Sequence, residues 1–224
     1  MKPKLILFIL YLCILTTIAI YLFIKERHVM VSADCGSKDE IDVLDKICKE
    51  NGIELIVYDK CQSCNNVKNG VNCKTLSNIG RDANTTLYYL IKNYHNLPKV
   101  MYFVPSTIYK HNRIGKLKEL LANKDITCEK ASKLKNDENF ILDEYEGKKL
   151  LKSDIRPFKK WYIKHVGEWD DNKDICFNII FKTTREKVLR KPKSYYINLY
   201  NQVNRVDSDE TVHYMERSIH SIFS

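Results

Sequence analysis

The sequence predicts an α/β fold, a small mixed, mostly parallel sheet flanked by helices and preceded by one transmembrane helix. Three observations predict it. Short β-branched runs at 28–33, 53–58, 99–104 and 175–182 alternate with stretches of helical periodicity. The first two runs enclose a helix, and strand, helix and strand in that order form a right-handed unit with a parallel pair. Ahead of them, Leu5 to Ile24 is twenty residues without a charge, enough to span a hydrocarbon core of ~30 Å.

The uncharged run is read as an uncleaved signal anchor. Lys25-Glu26-Arg27-His28 separates it from the small residues Val31-Ser32-Ala33 that a signal peptidase would need. The expected organisation is a cytoplasmic tail at 1–4, an anchor at 5–24 and a single lumenal domain at 28–224. About 195 residues beyond an anchor suffice for one substantial core. Seven of the eight cysteines follow the run, and that density points to an oxidising compartment. The implied topology is type II, in the endoplasmic reticulum or Golgi lumen or at the cell surface. Net charge is +9, Lys-dominated and scattered. No nucleic-acid-binding pattern accompanies it, so no nucleic-acid partner is expected, whereas a sugar nucleotide, a phosphate or an anionic membrane surface is compatible.

Taken in order, His28 to Ala33 reads as a strand. Ser37 and Glu40 form a capping box for a helix over about 39–51, which Gly52 stops. Ile53 to Tyr58 is a buried strand. The polar stretch 59–77 holds Cys61, Cys64 and Cys73; structural disulfides are preferred to a zinc site or a redox motif, with connectivity left open. In Asn78-Ile79-Gly80-Arg81-Asp82, Gly80 permits a positive φ and Asp82 complements the positive end of a helix. Ala83, Leu87, Leu90, Ile91 and Tyr94 line one face of that helix, which ends by Leu97-Pro98. Its start puts Arg81, Asp82 and Asn84 beside free backbone N–H groups, where an anion is held readily. A structural ion pair of Arg81 is the plainer reading.

Lys99 to Val104 is a third strand, and Ile114, Leu117, Leu120 and Leu121 mark a helix. No fixed structure is assigned to 123–152. Phe158, Trp161, Tyr162 and His165 share one face, His165 as a core or rim residue rather than a metal ligand. Ile175 to Lys182 is a strand; Thr183 and Glu186 form a second capping box before a helix that Pro192 interrupts. In the last helix Val212, Met215, Ile219, Ile222 and Phe223 make an apolar face on which Glu216 falls. An inward carboxylate needs a partner, and Arg81 is the expected one, directly or across a shared polar cleft. The same pair reads as a structural clamp or as part of a catalytic site.

The motif Asn78, Gly80, Arg81, Asp82, Leu87, Tyr88, Asn93, Tyr94, Leu97 and Pro98, followed near the end by Glu216, Arg217, His220 and Phe223, is similar to that of a eukaryotic domain-of-unknown-function family. That family has an N-x-G-R-E/D loop-helix motif, a C-terminal E-R helix and a glycosyltransferase-like fold of the A type. Phe177 to Lys182, then Arg185, Pro192 and Tyr196, resemble its strand and proline-interrupted helix, so the likeness runs from about Val29 to Phe223. It implies a nucleotide-sugar-transferase-like protein with a glycan or protein acceptor. Asn78, Gly80, Arg81, Asp82 and Arg217 would bind the ligand and Glu216 would act as a base; the alternative is a catalytically inactive binding domain of the same fold. The chain departs from the family at Pro105-Ser106, where a Gln-Gly step is usual. It also lacks an Asp-x-Asp after a strand. Asp207-Ser208-Asp209 has those letters but precedes the last helix as a cap, so no metal is assigned and the cofactor is unknown.

Overall fold

The computed structural model describes residues 3–61, 64–65, 67–68, 70–110, 112–123 and 127–223. A helix, α1 (Pro3–Glu26), leads into β1 (His28–Asp34), α2 (Lys38–Glu50), β2 (Glu54–Asp59), β3 (Asn72–Thr75), α3 (Arg81–Asn93) and β4 (Val100–Pro105). Then come α4 (Ile114–Ala122), β5 (Cys128–Lys133), the hairpin strands β6 (Glu144–Tyr145) and β7 (Lys148–Lys149), and α5 (Phe158–His165). Strand β8 (Asp174–Thr184) and helices α6 (Arg185–Leu189), α7 (Lys193–Val203) and α8 (Glu210–Phe223) complete the chain.

The six-stranded sheet has the order β3-β2-β1-β4-β8-β5. Strands β3, β2, β1 and β4 are parallel, and β8 runs antiparallel to both β4 and β5. The fold is therefore α/β with a mixed sheet flanked by helices. Side chains alternate across a pleated strand, and β1 and β4 are buried on both faces. Val29, Val31, Met101 and Phe103 join the core packed by α3, α5, α7 and α8, while Met30, Tyr102 and Val104 join the core packed by α2 and α4. Continuous apolar runs rather than alternation are the sequence mark of strands covered on both sides.

The expected membrane span is corrected. Among the described residues no helix is long and apolar enough to cross a membrane. The type II topology built on that span loses its support with it.

Three disulfides join Cys35 to Cys61, Cys64 to Cys73 and Cys128 to Cys176, which fits an oxidising compartment. Cys48 is a buried free thiol. Several local expectations shift. Ser37 makes no side-chain cap; the Asp34 carboxylate instead accepts the N–H groups of Gly36 and Ser37 at 3.0 and 3.1 Å. The second cap is Thr184, which accepts Lys187 N–H, while Thr183 remains in β8. The stretch 123–152 carries β5 and a hairpin. Its lysine-rich composition hides an edge strand fastened to β8 by the Cys128–Cys176 bridge. Edge strands with exposed charge lack the apolar pattern by which buried strands are read.

Candidate functional site at the carboxyl ends of the parallel strands

Strand β1 connects through α2 to β2 on one side, while β4 pairs on its other side. In an open α/β sheet this reversal leaves a crevice beyond the strand ends. Here the crevice has a volume of 390 Å³ and is lined by Asp34, Lys60, Asn78, Arg81, Asp82, Ser106 and Glu146, among others.

Its floor is built by backbone-directed side chains. Asp59, level with Asp34 in the ladder, accepts N–H groups from Cys61 and Cys64 at 2.8 and 2.9 Å. The Cys35–Cys61 bridge ties the two strand ends together. Lys60 is 8% exposed and donates to the carbonyls of Ile79 and Arg81 at 2.6 and 2.7 Å. Burial pulls its ammonium down to about 8, with Asp82 and Asp207 acting in the opposite sense. Lys60 thus fastens the loop 79–81 to the end of β2.

Gly80 has φ +61, and a Cβ there would lie 2.2 Å from the Val203 carbonyl oxygen and 2.8 Å from Asn84 Cβ. Only glycine lets the loop pass this close to α7. Its N–H donates to Val206 O at 3.0 Å and its carbonyl accepts from Asn84 N at 3.0 Å. Arg81 itself has φ +48, a conformation that an L side chain adopts at a cost and that clusters at functional sites. Asn84 is 1% exposed and donates to Asn204 Oδ1 at 2.9 Å, so its Asn84-Thr85-Thr86 sequon is sealed between α3 and α7 in the folded chain.

Arg81 and Asp82 open α3 toward the crevice. Asp82 is half-buried, and desolvation raises its carboxyl above the ordinary range while Lys60 and Arg81 draw it back. Arg81 does not pair with Glu216. Its guanidinium meets Glu146 Oε2 at 3.3 Å and lies over the Tyr145 ring at 4.7 Å. Tyr145 in turn packs on His213 at 4.7 Å between ring centroids, and His213 Nδ1 is 4.0 Å from Glu216 Oε2. The expected partnership of Arg81 with Glu216 is corrected to a relay of contacts through Tyr145 and His213. Two polar side chains at this separation are bridged by the aromatic ring of the hairpin, which sequence spacing cannot show.

Glu216 accepts the backbone N–H of Asn178 through Oε1, and its side chain is 20% exposed. Burial raises its carboxyl, while Arg217 and the Asn178 N–H oppose the rise. Asn178 has φ +60. Continuing the antiparallel register beyond Phe103↔Phe181 brings it to the end of the sheet where β4 finishes, so Glu216 stands at the same edge as Arg81 and Asp82. His213 is 7% exposed and is held down to about 4, first by burial and then by Arg81 and Arg217. It is a neutral imidazole at neutral pH.

Arg217 donates to Asp137 Oδ2 at 2.8 Å and to His213 O at 3.2 Å, and its guanidinium lies 3.5 Å from the Phe140 ring centroid. It fastens α8 to the segment after β5. Asn78 lines the crevice. Asp209 is a cap, accepting Thr211 N–H at 2.8 Å and Arg205 through two bonds of 2.7 and 2.9 Å. Its side chain is fully buried, and Asp207 is a surface partner of Lys148 at 3.8 Å. Among the described residues no group of three His, Cys, Asp or Glu side chains is arranged to hold a metal. His165 packs against Trp161 at 5.2 Å between ring centroids.

Sequence reasoning missed Lys60, Tyr145, Glu146 and His213. Glu146-Gly147 flanked by short strands is a hairpin signal. His213, three residues before Glu216, lies on its helical face. Lys60 carries no signal, because only the sheet shows that the strand end is buried. The chain matches no protein-family model, no curated protein and no solved structure.

Proposed function

We propose that this chain is a glycosyltransferase-like protein of the secretory pathway lumen that binds a nucleotide sugar in the crevice beyond β1 and β4. The observation that supports this most is one arrangement: a guanidinium and the opening turn of a helix at a topological switch point, with a carboxylate on the same sheet edge. A helix start with an adjacent arginine is suited to a diphosphate. Arg81 serves the phosphates and Asp82 the sugar or ribose hydroxyls. Glu216, raised by burial, is the general base toward an acceptor hydroxyl.

One observation favours a binding-only reading of the same crevice. Asp209, in the sole sequence match to an Asp-x-Asp, is consumed by Arg205 and Thr211.

Titration with a nucleotide-sugar panel, with and without manganese, tests both. Turnover that Glu216→Gln abolishes while binding persists supports the transferase. Saturable binding without turnover supports the binding domain. No binding by the wild type, or binding that survives Arg81→Gln unchanged, refutes the crevice as the site.

A further inference from the structure

The hairpin β6–β7 differs sharply between its base and its tip. At the base, Leu150 N–H bonds Asp143 O at 2.9 Å, Leu151 N–H bonds Ser208 O at 2.9 Å and Glu210 N–H bonds Leu151 O at 3.0 Å. The fully buried Glu210 carboxylate holds the neighbouring backbone at Leu142 and Ser153. At the tip, the ion pairs are exposed. Glu146 is 67% exposed where it meets Arg81, and Lys148 is 65% exposed where it meets Asp207.

Ion pairs of that exposure are weak, whereas a phosphate takes a guanidinium through two charge-assisted bonds. Glu146 also lines the crevice beside Asn78 and Asp82. Its carboxylate therefore sits where an anionic ligand would reach Arg81. We infer that Glu146 is an internal anion that occupies the phosphate seat on Arg81, and that a diphosphate-bearing ligand displaces it, releasing the hairpin tip from the crevice. The inference rests on the proposed nucleotide-sugar site and adds a gate to it. Tyr145, packed between Arg81 and His213, moves with the tip and uncovers the His213 and Glu216 side of the site.

The test titrates inorganic pyrophosphate and nucleoside diphosphates into wild type, Glu146→Gln and Glu144→Gln. Glu144 is an exposed carboxylate on the same hairpin and controls for general charge. An exposed ion pair removed as competitor raises affinity about two- to fivefold, so that gain is expected for Glu146→Gln and none for Glu144→Gln. In parallel, trypsin cleavage at Lys148 and Lys149 should accelerate in Glu146→Gln without ligand, and in wild type on adding pyrophosphate. Equal affinities for wild type and Glu146→Gln, or an equal gain in both variants, overturns the gate and leaves the site standing. Failure of every diphosphate to bind any of the three overturns the site and the gate together.

Discussion

Glu210 is the side chain whose loss should be felt most widely. It opens α8 with no solvent exposure, and its two oxygens are fully engaged. Oε1 accepts Leu142 N–H at 2.9 Å, Arg156 Nε at 3.1 Å and the Tyr214 hydroxyl at 2.7 Å, and Oε2 accepts Ser153 N–H at 2.9 Å. One carboxylate thus ties α8 to residues 142, 153 and 156, the segment that carries the hairpin. Glu210→Gln keeps the shape but replaces one oxygen by an amide NH2. Whichever way the amide turns, a donor then faces a backbone N–H of Leu142 or Ser153, and neither can rotate away. The Arg156 guanidinium, 22% exposed, loses the buried member of its two carboxylate partners. Breaking one side of a buried charge pair costs about 3 to 5 kcal/mol. In a domain of this size each ~1 kcal/mol lowers Tm by ~2–4 °C, so the variant should melt roughly 10 °C below wild type. Calorimetry or circular dichroism measures it, with Asp143→Asn as control. Asp143 meets the same Arg156 at 2.9 Å but is 54% exposed, and such a pair is worth at most ~1 kcal/mol. A Glu210→Gln melting point within about 2 °C of wild type, or equal to that of Asp143→Asn, would refute the reasoning.

Three further outcomes follow from other parts of the fold. Gly80→Ala forces a methyl into the Val203 carbonyl at positive φ and should lose about 2–4 kcal/mol by denaturant titration, with Asn84 becoming accessible to amide-directed probes. Opening the Cys128–Cys176 bridge by a double serine substitution removes a cross-link of sequence separation 48, and the chain-entropy relation sets its stabilisation at about 4 kcal/mol; the shorter Cys64–Cys73 loop, separation 9, should cost about 2.6 kcal/mol. His213 is held down to about 4 when folded, against ~6.5 when unfolded. Between those values the unfolded chain binds the extra proton, so stability is complete above pH ~6.5 and falls toward pH ~4 by about 3 kcal/mol. Stability measured from pH 4 to 7 should therefore fall less steeply with acid in His213→Gln than in wild type; parallel curves would count against a buried neutral imidazole.

Much of this architecture is written locally. The apolar stripes of α2, α3 and α8 and the β-branched runs of β1, β2 and β4 declare themselves because each element buries a face whose period matches its backbone geometry. Gly80 was legible for the same reason, since a tight loop before a helix asks for positive φ. The density of cysteines pointed to disulfides, but not to their pairing, because pairing depends on which strand ends lie side by side. The sheet brought Cys35 beside Cys61 and the β5 edge beside β8. Only tertiary structure decided the partners of the charged groups. Arg81 was expected on Glu216, and the hairpin supplied Glu146 as its partner and set Tyr145 between it and His213; Glu210 and Arg217 became fastenings because the segment 137–156 folds back over α8. Such contacts join residues that are distant along the chain. Their energies depend on burial and on which donors converge, quantities that exist only once the chain has closed on itself.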